Sequence, residues 1–86
     1  MRAKIIVGNW KMNGSYILID NIFKSFDFTS DFKNLNVVIC PPDVLLCRTK
    51  NIFEGSGIHI GAQNVHSEEE GAFTGETSPL LLRECG

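Results

Sequence analysis

No apolar stretch in this sequence of 86 residues approaches the ~20 residues needed to cross a bilayer. Behind Met1-Arg2-Ala3-Lys4 stands only Ile5-Ile6-Val7, too short for the core of a secretory signal. The expectation is a cytoplasmic chain with no membrane partner. An excess of positive charge is lacking too. Eight Lys and Arg against ten Asp and Glu give a formal charge of -2, with no basic patch for phosphates and no aromatic run for bases, so no nucleic acid is expected. Cysteine is scarce: Cys40, Cys47 and Cys85 are odd in number and form no C-x-x-C pair, which argues against a disulfide framework and reads as reduced structural thiols. His59 and His66 have no cysteine or second histidine at ligand spacing, so no metal is expected. Glycine-rich phosphate loops, catalytic-triad patterns and paired carboxylates are also missing.

What is present is a composition 43% hydrophobic, enough for one small domain at most. Ile5-Ile6-Val7 is a short β-branched run, as in a strand covered on both faces. From Ser15, a candidate N-cap, Ile19, Ile22, Phe23 and Phe26 stand at i, i+3, i+4 and i+7 and predict an amphipathic helix. Val37 to Cys40 is a second strand, stopped by Pro41-Pro42, and Val44 to Cys47 lie in a short helix that ends before Lys50-Asn51. Ile58 to Gln63 reads as a third strand, and Ser78 with Pro79 opens a third helix through Leu80, Leu81 and Leu82. The order βαβαβα makes this an α/β chain with parallel strands, whose ligands bind at the strands' carboxyl ends.

Two segments depart from an ordinary connection. After Val7 the chain runs Gly8-Asn9-Trp10-Lys11-Met12-Asn13, so an amide and a cation stand at the mouth of a strand. If extended geometry persists, alternation puts Asn9 and Lys11 on one side and Trp10 on the other. An ammonium there suits a phosphate or a developing oxyanion, and an amide can fix its direction; the plainer reading is a solvated loop lysine. The second segment is Asn64 to Thr77, about fourteen residues where such a loop needs ~2–6. Its Glu68-Glu69-Glu70 run reads as solvated surface. Phe73 at its tip either folds back locally or meets a partner. His59, between Ile58 and Ile60, reads as a strand histidine turned to the helix side, opposed to its apolar neighbours, or, less simply, as a base.

The hexamers "GNWKMN" (8–13) and "GAFTGE" (71–76), with "AQNV" and "SP" around the second, resemble the N-terminal part of triosephosphate isomerase, from Ile5 to Gly86. The resemblance implies a partial β/α (TIM) barrel, three strand-helix units of eight, with residues 1–86 forming a single incomplete domain and about the first third of the barrel. It implies the interconversion of dihydroxyacetone phosphate and glyceraldehyde 3-phosphate, in glycolysis and gluconeogenesis, without a cofactor. Asn9 and Lys11 match the family's substrate-binding residues, and Lys11 its catalytic electrostatic lysine. Met12, Asn13, Phe73, Thr74, Gly75 and Glu76 match positions at the interface of a homodimer, with Gly71 to Glu76 the loop that enters the second subunit. The family's glutamate base and neutral histidine are carried from the family, not read from these residues; Glu54, Glu76, Glu84, His59 and His66 match neither. The resemblance therefore implies that the chain is inactive alone and needs a complementary C-terminal fragment, and that its sheet has two open edges and an uncovered inward face. The alternatives are a non-catalytic remnant or interaction module of a split or decayed gene, and an independent phosphate-binding domain.

Overall fold

The structure is a computed structural model that describes residues 3–26 and 35–86. Its elements are β1 (Lys4–Asn9), α1 (Tyr16–Ser25), β2 (Leu35–Cys40), α2 (Leu46–Ile52), β3 (His59–Ile60) and α3 (Pro79–Cys85). The strands form one parallel sheet in the order β1-β2-β3. The expected alternation of strands and helices is therefore present, as a partial α/β unit and not a closed barrel. Among the described residues no helix is long and apolar enough to cross a membrane.

Helix α1 begins where its cap dictates. The Ser15 hydroxyl accepts the Leu18 amide at 3.0 Å, satisfying a donor that the first turn leaves unpaired. The predicted stripe points inward: Ile19 is fully buried, and Ile22, Phe23 and Phe26 pack on the core formed by Ile19, Ile39, Leu45, Phe53 and Ile58. Phe53 is the hub of this core. The rings of Phe23 and Phe26 meet it edge-on at 5.3 and 5.8 Å, a favourable arrangement for the aromatic quadrupole. Arg48 of α2 fastens α1 from outside, its guanidinium 4.9 Å from the Tyr16 ring centre and 3.6 Å from the Asp20 carboxylate.

Three expectations need correction. The second helix does not stop at Lys50: a 3-10 turn at Asp43–Leu45 leads into α2, which runs to Ile52 and is capped by the Phe53 amide on the Thr49 carbonyl at 3.0 Å. Continuing the helix is what brings Phe53 into the core. The third strand is shorter than Ile58 to Gln63, because its ladder partners are only Val38 and Ile39 and the residues just past β2 are prolines, which have no amide to donate. The first strand is not covered on both faces, since Ile5, Ile6 and Val7 are 65%, 56% and 55% exposed. β1 and β3 are open edges, as the resemblance implies. The three cysteines are free thiols, as expected, and the packing of α2 on α3 brings Cys47 Sγ to 2.8 Å from Cys85 Sγ.

The core predicts where stability resides. Truncating a buried aromatic removes its transfer energy and leaves a cavity, so Phe53→Ala should cost about 3–5 kcal/mol. Val44, 87% exposed, should tolerate alanine within ~0.5 kcal/mol. Urea denaturation of the two variants checks this; equal midpoints would remove Phe53 from the centre of the core.

Candidate functional site

The carboxyl ends of the three strands meet at one carbonyl. Cys40 closes β2, and Pro41 and Pro42 come next in the chain. The Cys40 oxygen accepts the Trp10 amide at 3.0 Å and the Gln63 side-chain amide at 2.9 Å. The same Gln63 nitrogen donates to the Lys11 carbonyl at 2.9 Å. Gln63 therefore staples the segment after β3 to the end of β2 and to the loop after β1. It lies in the "AQNV" motif, but sequence reasoning assigns it no role. An amide just past a strand end, beside two chain segments with carbonyls to satisfy, is the signal that could have found it.

The loop after β1 is shaped largely by its own side chains. Asn9 Oδ1 accepts the Lys11 amide at 2.8 Å, and Asn13 Nδ2 donates to the Trp10 carbonyl at 2.9 Å. Asn9 thus fixes the backbone of Lys11, not the direction of its ammonium as expected. Trp10 parts from Asn9 and Lys11 as alternation expects, but not by the extended geometry it assumes. Lys11 has φ 57°, in the left-handed region, so extended geometry ends before it. Trp10 turns inward and packs on the core, while Asn9 and Lys11 are exposed. Gly14 makes room for the indole: at φ +129° it has a conformation side chains rarely adopt, and a Cβ there would come 2.9 Å from Leu45 and 3.1 Å from Trp10.

Among the described residues no carboxylate pairs with the Lys11 ammonium. The site is thus a cation at the carboxyl end of a parallel strand, held by a strained backbone and open to solvent. Such a group can attract an oxyanion. The described histidines stand elsewhere. His59 is exposed on β3 and not turned to the helix side as expected, because the buried Ile58 takes that side, and His66 lies in the long loop, its Nδ1 3.7 Å from Glu76 Oε2. No described hydrogen bond or ion pair joins either to Asn9 or Lys11.

The long loop closes on itself. The His66 amide donates to the Thr77 carbonyl at 2.8 Å, the Ser78 hydroxyl donates to the Glu69 carbonyl, and Thr77 Oγ1 donates to Asp43 at 2.5 Å. Phe73 folds back on His66, ring centres 4.4 Å apart, yet remains 45% exposed. A cavity of about 320 Å³ lies beneath it, lined by His66, Glu69, Phe73, Glu76, Ser78 and Leu80 among others. Met12, in the loop after β1, is 93% exposed.

Comparison with known proteins gives a consistent result. The family model for triosephosphate isomerase matches residues 4–86. Among curated relatives, the triosephosphate isomerase of Clostridium novyi is 44% identical over 92 residues, covering the whole chain and 34% of the relative. That of Dehalococcoides mccartyi is 42% identical over 85 residues, covering 98% of the chain and 34% of the relative. That of Psychromonas ingrahamii is 38% identical over 87 residues, covering the whole chain and 35% of the relative. The chain spans about a third of the length of the curated relatives it matches.

The backbone of Lys11 carries a measurable cost. A left-handed conformation costs a side-chain-bearing residue roughly 1–2 kcal/mol, which glycine escapes. Lys11→Gly should therefore be more stable than Lys11→Ala by about 1 kcal/mol, reversing the usual order in which glycine is the worse of the two. Urea unfolding of the two variants measures it, and an alanine variant equal to or more stable than the glycine one would show that no strain is held there.

Proposed function

The chain belongs to the triosephosphate isomerase family, and from that premise we propose that it supplies the anion-binding third of an enzyme interconverting dihydroxyacetone phosphate and glyceraldehyde 3-phosphate. The observation that carries the reading is Lys11 at the carboxyl end of β1, exposed and without a carboxylate partner among the described residues, with its backbone held by Asn9 and Gln63. Lys11 attracts the phosphorylated triose and stabilises the negative charge that develops on the substrate oxygen as a proton leaves carbon. A charge fixed in place before the reaction needs no reorganisation during it, and such stabilisation is often the largest single catalytic contribution. Asn9 borders the same space. No cofactor enters the reaction.

The proton-transfer groups come from the remaining two thirds of the family's length, in the same polypeptide or in a complementary C-terminal chain. The working form is a cytoplasmic homodimer. Exposed Met12 and the half-exposed Phe73 support an interface that includes Asn13, Thr74, Gly75 and Glu76, because apolar groups at loop tips are costly in water unless a partner covers them.

Two experiments test this reading. Residues 1–86 should replace the matching third of the Clostridium novyi enzyme and give a chimera that isomerises triose phosphates. Lys11→Ala in that chimera should lower kcat/KM by about 10²-fold or more with little change in unfolding midpoint, and the 86 residues alone should show no turnover. An alanine chimera with near-normal kinetics would remove Lys11 from the site. For the interface, amide exchange at Phe73 to Glu76 should slow when the chimera dimerises, and Phe73→Asp should raise the dimer dissociation constant. A dimer whose exchange in this loop matches that of its monomer would place the contact elsewhere.

A further inference from the structure

We propose that Cys47 and Cys85 form an oxidisable dithiol, which a glutathione-type disulfide converts to an intramolecular disulfide tying α2 to α3. The sulfurs stand 2.8 Å apart, against about 2.05 Å for the covalent bond, so little chain movement separates the two states. Cys47 is the second residue of α2 and exposed; Cys85 is the last residue of α3 and half-buried. The helix ends are held in register near the pair. Lys50, one turn after Cys47, lies so close to Gly86 that a Cβ there would come 2.8 Å from its Cε. The third cysteine does not share the site: Cys40 lies at the end of β2 with its sulfur against Gly61.

The chemistry is set by these positions. An external disulfide reaches the exposed Cys47, whose thiolate attacks one of its sulfurs; that disulfide bond breaks, one glutathione thiolate leaves, and a mixed disulfide remains on Cys47. Cys85 then gives its proton to solvent, its sulfur attacks Cys47 Sγ, and the second glutathione departs. Two protein thiols are oxidised and one glutathione disulfide is reduced to two thiols. The hydrogen bond with Cys47, then burial and the charge on a Cys47 thiolate, push the Cys85 thiol upward, with Lys50 opposing; Cys85 accordingly suits the second step more than the first. The ring so closed encloses β3 and the long loop. None of this rests on the isomerase reading.

The test is equilibration of the purified chain with defined ratios of reduced and oxidised glutathione, then acid quench, alkylation and peptide mapping. The expected product has lost two hydrogens, links the Cys47 and Cys85 peptides, and carries an alkylated Cys40. Its effective thiol concentration should exceed that of the same chain in denaturant by about tenfold or more. Cys40→Ser should leave the product unchanged, while Cys47→Ser or Cys85→Ser should abolish the link and leave a glutathione adduct. Equal effective concentrations in buffer and denaturant, a stable adduct on Cys47 of the unsubstituted chain, or links through Cys40 would each overturn the proposal.

Discussion

The carbonyl of Cys40 takes two hydrogen bonds, from the Trp10 backbone and the Gln63 side chain, and the site depends on it. A carbonyl oxygen has two lone pairs, and here each joins a different strand's exit to the centre of the sheet. Pro41 and Pro42 make this arrangement necessary, because neither can donate an amide to carry the ladder further. The sheet therefore ends in one plane, and the segments leaving β1 and β3 must find other partners. Trp10 turns into the core, Gln63 reaches across, and Lys11 is left at the top with its carbonyl held and, among the described residues, no carboxylate on its ammonium. The cation's position is thus a consequence of where β2 stops.

The same sheet is sheltered unevenly. On the helix side, Phe53, Ile19 and Ile39 form a closed core with edge-on aromatic contacts. Around β1, three consecutive apolar residues stand more than half exposed. Burying such side chains stabilises a fold by about 1.5–3 kcal/mol each, so leaving three in water forgoes a large part of what a domain of this size can gather. A parallel strand is ordinarily covered on both faces. The apolar composition of β1 fits an environment that these 86 residues do not complete, in keeping with a match to about a third of each relative.

Much of this was legible in the sequence, for identifiable reasons. The spacing of Ile19, Ile22, Phe23 and Phe26 marks the buried face of α1, and Ser15 and Ser78 mark two helix starts, because periodicity and capping are local. The end of α2 escapes local reading because Phe53's burial, a tertiary effect, outweighs the polar pair Lys50-Asn51. Strand alternation separates His59 from its apolar neighbours but misjudges the side, because Ile58 takes the helix side and His59 is exposed. At Lys11 a left-handed residue ends the extended geometry that alternation assumes. Gln63 and the Cys47–Cys85 pair escape it for one reason. Each joins elements far apart in sequence, through contacts that no spacing rule encodes.

What Lys11 can contribute is decided by its surroundings more than by its charge. Two unit charges ~4 Å apart interact by about 1 kcal/mol in bulk water and about 4 kcal/mol at the effective dielectric of a partly enclosed protein site. In the described residues Asn9 and Lys11 both face solvent, close to the weaker limit. The strained backbone, the Asn9 bond and the Gln63 staple fix a position without supplying the low dielectric that makes the position effective. Ile5 and Val7, on the strand that leads to this site, are themselves more than half exposed. The exposed apolar face and the exposed cation thus lie on one strand and its exit, and burial of the first would lower the dielectric around the second.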